Sequence, residues 1–438
     1  MRNTFELAAA TLNDALRTGE AFTAYLEAEE SDFIRLNRNR VRQSGHVGQA
    51  RLTVDLIRDE QHVRATLPVT GDRDTDGTRL RALVPELRAL LPLVPGDPYH
   101  AYATVDSPSE DIRPGRLPDP ATLLAAVTES ADGLDLVGHS ASGRVYRGFA
   151  GSAGQWHWFE AGTFSLDWSL YHRTDKAVKG RYAGRDWDGA ELAARIAATR
   201  EQLTIMARPP VRLRPGRYRS FLAAAALMEI LSVVAWQGFG LRAHRTRQTP
   251  LLRLADGEAA LHPAVDLSEH SAGGQAPRFS PEGFRLPERL PLIQSGRHAH
   301  CLADSRSSRE FGVPVNAAAE QPGSLELAAG TLAAADAAAA LEDGLLISDL
   351  WYGNLSDRAR CAVTGMTRYA CLQVRDGRPI SPVEPMRFDV SLYHLLGDGL
   401  LGLTRERELI VDTGTYGQRS TGSARLPGAL VRDFPLTL

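Results

Sequence analysis

Cysteine is scarce in this chain. Cys301, Cys361 and Cys371 are the three present in 438 residues, and none of them is spaced as CxxC. That excludes a disulfide framework and points to a reducing, cytoplasmic setting. Long apolar runs are also missing, none approaching the ~20 residues needed to cross a bilayer. The first thirty residues interrupt their apolar positions with Glu6, Asp14 and Glu20, which reads as an amphipathic surface helix rather than a signal sequence. Neither sign of charge dominates: 50 Lys and Arg stand against 53 Asp and Glu, for a net charge of −3, so no general basic surface is available for nucleic acid. The GxSxG elbow of serine hydrolases is lacking, since Gly151-Ser152-Ala153-Gly154 is too compressed. A GxxxxGK[ST] phosphate loop is lacking too, and the glycines at 238 and 240 follow a helix instead of opening one.

What remains is an ordinary folding composition, 43% hydrophobic and 24% charged, in a chain long enough for about two or three domains. The patterning predicts an α+β protein in three parts: an N-terminal helix-and-sheet region over residues 1–106, a middle region with an antiparallel meander over 107–208, and a sheet-rich C-terminal region over 209–438 around an Ala-rich helix. Helices are expected over 3–16, 78–91, 121–129 and 189–206, from apolar periodicity and proline stops. Residues 31–57 read as two strands joined near 37–39 or 44–48. Residues 107–120, rich in proline and charge, read as a linker or long loop. From 134 to 184, alternating Trp156, Trp158, Phe164, Trp168 and Tyr171 suit either packing under a helix or a groove for an extended peptide.

Three features carry candidate chemistry. Arg35, Arg38, Arg40 and Arg42 lie on predicted strands, where they read as a charged, solvated face or as a local nucleic-acid patch. His298, His300 and Cys301 form HAHC, a set of borderline metal donors. In a continuous strand the two histidines would share a face and Cys301 would point away. Glu229 sits in the middle of the Ala-rich helix expected over 221–236, between Met228 and Val233. Such an acid reads either as one paired with an arginine or reaching solvent, or as the acid of a metallopeptidase helix whose ligand positions hold a thioether and an isopropyl group.

Four long segments, SDFIRLNRNRVRQSG (31–45), VYRGFAGSAGQWHW (145–158), DKAVKGRYAG (175–184) and TGMTRYACLQVRDGRPISPVEPMRF (364–388), carry a resemblance. In this order they are similar to the TldD/PmbA family, metallopeptidase-related proteins once called modulators of DNA gyrase. The resemblance implies a zinc site made by a His-Glu-x-x-x-His helix and a cysteine near the C-terminus. Carried over residue by residue, the histidines fall on Met228 and Val233, the glutamate on Glu229, and the cysteine on Thr421 of Ser420-Thr421-Gly422. Without the ion, Glu229 has no activated water to deprotonate, because the metal is what lowers the water pKa from about 16 towards 7. The resemblance thus implies the PmbA/TldE-like branch: a subunit expected to hold no zinc, to form a homodimer or a heterodimer with a TldD-type subunit, and to help bind extended peptides for proteolysis. Membrane and nucleic-acid partners are not expected. An active hydrolase built on HAHC and a regulatory nucleic-acid binder are the alternatives.

Overall fold

The computed structural model describes residues 1–105, 107–173 and 176–437, so Asp175 of the third motif lies outside the described residues. The N-terminal half runs α1 (Arg2–Asp14), β1 (Ala21–Asn37), β2 (Arg40–Arg58), β3 (Gln61–Pro68), α2 (Arg73–Leu90), β4 (Ser109–Arg113), α3 (Pro120–Ser130), β5 (Asp135–Gly151), β6 (Trp156–Arg173), β7 (Lys176–Gly184) and α4 (Gly189–Met206). All seven strands form one sheet in the order β3-β2-β1-β5-β6-β4, with β7 also on β6. That sheet draws on both of the first two predicted regions. Residues 107–120 are correspondingly more than a loop, because β4 pairs in parallel with β6 from Ser109 opposite His157 to Arg113 opposite Ala161.

Strand alternation assigns the two faces of this sheet. On β1, Phe22, Ala24, Leu26 and Ala28 pack with Phe5 and Leu12 of α1 and Leu80 and Val84 of α2. Further along the same face, Ile34 and Leu36 join Leu123 and Val127 of α3 and Leu192 and Ile196 of α4. The intervening residues Thr23, Tyr25, Glu27, Glu29 and Ser31 turn to the opposite face, towards the C-terminal half. Of the meander aromatics, Trp158 is buried under α1 and α2 and Trp156 packs beside it, while Phe164 and Trp168 are buried under α3 and α4. Packing is thus their role. The arginine-bearing hairpin turns at Arg38 and Asn39, whose φ angles of 52° and 56° give a two-residue turn matched to strand twist. Asn39 Nδ2 then donates to the carbonyls of Thr128 (2.9 Å) and Ala131 (3.0 Å), fastening the tip to α3.

The C-terminal half runs β8 (Gly216–Leu222), α5 (Ala224–Gly238), α6 (Leu241–Arg245), α7 (Leu252–Ala255), β9 (Leu267–Glu269), β10 (Leu290–Gln294), β11 (Arg297–His298), α8 (Ser305–Phe311), β12 (Ser324–Leu327), α9 (Ala337–Leu341), β13 (Gly344–Asp357), β14 (Ala362–Arg375), β15 (Arg378–Pro382), β16 (Arg387–Ser391), β17 (Leu400–Val411) and β18 (Ser423–Leu436). Its sheet follows β11-β10-β9-β12-β18-β16-β14-β13-β8, and β8 returns to pair with β18. The last five strands therefore close a ring. Helix α5 packs against β8, β13, β14, β17 and β18 through Leu227, Ile230, Leu231 and Val234, the i, i+3, i+4, i+7 stripe of a one-sided helix. The Ala-rich helix begins later than its composition suggested: Phe221 pairs with Leu346 of β13 and Leu430 of β18, so ring closure overrides local propensity. The architecture is α+β, as the patterning implies.

Candidate functional site

Between the inner face of β1 and β5 and the C-terminal half lies a cavity of about 480 Å³, lined among others by Tyr25, Glu27, Arg147, Glu269, Phe279, Asp412, Arg419 and Thr421. Glu27 and Tyr25 reach it because the odd positions of β1 face this way, and Glu269 reaches it from the end of β9. Both carboxylate oxygens of Glu269 accept from the Ser324 amide, at 2.9 and 3.1 Å. Burial nevertheless outweighs the Ser324 and Gly323 amides and pushes the carboxyl up to about 7. Near neutral pH it can therefore either donate or accept a hydrogen bond.

The far wall is the loop between β17 and β18. Arg419, 7% exposed, donates from Nη1 to Ser31 Oγ (3.2 Å) and from Nη2 to the Thr163 hydroxyl (2.6 Å) and carbonyl (3.1 Å). Gln418 donates to Glu27 at 2.6 Å, and Gln49 donates to the Gly417 carbonyl at 2.8 Å. Thr421 thus lines a cavity wall whose loop is tied to the N-terminal sheet. Sequence reasoning missed Glu269, Arg147 and Arg419: Arg147 lies within the 145–158 segment and Arg419 beside Ser420-Thr421-Gly422, but nothing local marks either as a site residue, and the three meet only through the fold.

Glu229 and its neighbours are placed differently. Strand β13 slips register against β14 between Trp351 and Asn354, and Tyr352 there has φ 60°. This bulge frees the Gly353 amide, which donates to Glu229 Oε1 at 3.0 Å. A side chain at Gly353 would stand 3.0 Å from Val233 and 3.2 Å from Glu229, so glycine permits the close approach. Met228 and Val233 pack on the C-terminal core. A thioether and an isopropyl group do not fit a zinc ion, and Glu229 is engaged by main chain. Met228, Glu229 and Val233 of α5 therefore carry core packing and one backbone contact.

The HAHC residues separate in an unexpected way. Strand β11 ends at His298, so alternation does not continue to Cys301, and Cys301 Sγ lies 3.6 Å from His298 Nε2. His300 instead hydrogen-bonds the Pro291 carbonyl through Nδ1 at 3.0 Å. The third member of the cluster is His244 of α6: one donor atom each from His244, His298 and Cys301 lie within 4.8 Å of one another. Burial holds the His298 imidazole down to about 4, aided by His244 and His300, lowers His244, and pushes the Cys301 thiol up to about 11. Cys361 and Cys371 are buried in the core and their thiols are pushed up to about 12 by that burial. Asp55, His62 and His100 also gather within 4.8 Å, but Arg64 pairs with Asp55 at 3.0 Å and the two imidazoles stack at 3.7 Å, an ion-paired cluster already satisfied. Arg35, Arg38, Arg40 and Arg42 are exposed on the hairpin.

Two closely joined sheets with a helix held against a ring of strands define the class of fold, and it is shared end to end with solved structures. A TldE from Thermococcus kodakarensis is 12% identical, with 99% of this chain and 100% of that chain covered and a TM-score of 0.77. A candidate modulator of a DNA gyrase from Thermotoga maritima is 12% identical over 99% of each chain, with a TM-score of 0.76. A candidate modulator of DNA gyrase from Bacteroides thetaiotaomicron is 13% identical over 100% of this chain and 98% of its own, with a TM-score of 0.71. At such identities the likeness is one of fold alone. No match was found among curated proteins. Residues 215–437, from the start of the ring to its last strand, match the PmbA/TldA metallopeptidase C-terminal domain. That match spans just over half of the chain, which therefore belongs to the PmbA/TldD family.

Proposed function

We propose that this chain is a non-catalytic, TldE-like subunit of a peptidase assembly, which helps hold extended peptide while a zinc-bearing TldD-type partner cleaves it. The observation that carries the reading is on α5: Met228 and Val233 pack on the core and the Glu229 carboxylate is taken up by the Gly353 amide at 3.0 Å. Such a helix offers no activated water. The likeness in fold to a TldE supports the same reading.

In this reading the cavity is the chain's contribution. Glu27, Glu269 and Asp412 stand there with Arg147 and Arg419, so peptide amides, carbonyls and a terminal carboxylate each meet a complementary group. Glu269, titrating near neutrality, accepts from a peptide N–H when ionised and donates to a peptide carbonyl when protonated. Three free thiols suit a reducing cytoplasm, and among the described residues no helix is long and apolar enough to cross a membrane.

The test is hydrolysis of an unstructured peptide pool by the purified chain, by a zinc-loaded TldD-type subunit, and by the two mixed. No turnover by the chain alone, with co-elution and faster cleavage in the mixture, is expected. Glu229→Gln in this chain should leave the mixture's rate unchanged. Turnover by the chain alone, lost in Glu229→Gln, would sink the proposal.

A further inference from the structure

We propose that His244, His298 and Cys301 form a binding site for one zinc ion, separate from α5's central residues and independent of the function proposed above. The donor set is chemically apt. Two imidazoles and a thiolate are borderline-soft ligands of the kind zinc takes, and three protein ligands leave a fourth position for water or a small ligand.

The geometry carries the assignment. Zn–S and Zn–N bonds of about 2.3 and 2.0 Å at a tetrahedral angle place sulfur and nitrogen about 3.5 Å apart, and Cys301 Sγ lies 3.6 Å from His298 Nε2. The His244 and His298 rings lie 4.8 Å apart between centroids. His244 Nε2 donates to the Gly238 carbonyl at 2.7 Å, which fixes the tautomer and leaves Nδ1 with a lone pair. A metal-bound histidine is held through its second nitrogen by such a carbonyl. The same Gly238 carbonyl also accepts from the Thr249 hydroxyl at 2.8 Å.

The backbone that presents the three residues is braced on both sides. Leu302 donates to the Phe239 carbonyl and Leu241 to the Leu302 carbonyl, both at 2.8 Å. That bridge sets Cys301 beside α6. Asn316 closes the other side, donating to the Cys301 carbonyl at 3.0 Å and accepting from the Ala303 amide at 2.8 Å. Cys301 and His298 are only partly buried, so an ion has a way in. The arrangement is preorganised without the ion, as a binding site requires. A thiol-to-imidazole hydrogen bond alone would account for the 3.6 Å contact, and the experiment separates the two.

The full-length chain, stripped with chelator, is titrated with Co(II) and then displaced with Zn(II), with the wild type compared to Cys301→Ser, His298→Gln, His244→Gln and His300→Gln. One Co(II) per chain, with a thiolate-to-cobalt charge-transfer band in the near ultraviolet, is expected for the wild type and for His300→Gln. Cys301→Ser should abolish the band, and His298→Gln and His244→Gln should each weaken Zn(II) binding on the order of 100-fold or more. Circular dichroism checks each variant's folding; should Cys301→Ser not fold, the two histidine variants decide. No binding at micromolar Zn(II), or a stoichiometric ion that persists in Cys301→Ser, overturns the site. Loss in His300→Gln with retention in His244→Gln overturns it equally.

Discussion

At Glu269, burial works against the amides of Ser324 and Gly323 and wins, raising the carboxyl from 4.5 to about 7. Between those values the folded chain holds a proton that the unfolded chain has released, so stability falls as pH rises through this window. Glu269→Gln keeps an acceptor for the Ser324 amide and removes the buried charge. It is expected to flatten the slope and to stabilise the protein by about 1–3 kcal/mol at pH 8, read from denaturant unfolding at pH 5 and pH 8. Glu20 shows the opposite sign. Arg88 donates to it at 2.7 Å and 2.8 Å and Arg58 at 2.7 Å, and these contacts, Arg88 foremost, overcome burial and lower it to about 2. Its contribution is present above pH 4.5 and lost as pH falls towards 2. Glu20→Gln should therefore cost about 2–3 kcal/mol at pH 7 and little near pH 2, and equal losses at both would show that packing, not charge, sets its worth.

Among the elements, the β1–β5 pairing depends on one residue without a side chain. Gly143 lies opposite Ser31 with φ 153°, and a Cβ there would stand 2.1 Å from the Glu30 carbonyl. Gly143→Ala is expected to destabilise by about 2–4 kcal/mol and to raise amide exchange along β1. A thermal midpoint within a degree of wild type would contradict this. How much of the elements was legible follows the range of the forces that set them. Helix α4 was legible over its full span because Asp188 caps it and its apolar period is local. The hairpin was legible as well, with its connection narrowed to 37–39 or 44–48, and the fold turns it at Arg38 and Asn39. Strand β8 was not, since Phe221 is extended only through pairing with β13 and β18, more than a hundred residues away in sequence. Strand β4 was hidden by its charges and by the flanking Pro108 and Pro114, and is made by pairing with β6. The candidate site was legible in its parts and not in its assembly. Cys301 and His298 were visible as donors, but His244 joins them only through the bridge between Gly240 and Leu302. The cavity residues come from β1, β5, β9 and the β17–β18 loop, and nothing local announces that these meet.

For the whole molecule, the question is what holds the two sheets across the cavity. Arg113 of β4 reaches the C-terminal half, donating to the Gly274 carbonyl at 2.8 Å, and His157 Nε2 donates to the Gly283 carbonyl at 2.9 Å. Arg419 ties the two from the other side, where its buried guanidinium meets β1 through Ser31 and β6 through Thr163 at once. Burial lowers Arg419 towards about 10 against the pull of Glu29, so it stays charged at neutral pH. Removing it leaves the Thr163 carbonyl and the Glu29 carboxylate without that cation, a loss of the kind that costs about 2–4 kcal/mol. Arg419→Lys keeps the charge but cannot span both strands with one planar fork, so it should recover less than half of the loss. The distinguishing readout is hydrogen exchange. If Arg419 clamps the β17–β18 loop, amides over 412–422 should exchange at least about tenfold faster in Arg419→Ala while those of α5, buried in the core of the C-terminal half, stay protected. Uniform acceleration through both halves would mean that the residue supports global stability and not the cavity wall. In the assembly proposed here the first outcome should also lower partner-dependent peptide cleavage, since a loosened wall no longer presents Glu27, Gln418 and Thr421 on one surface.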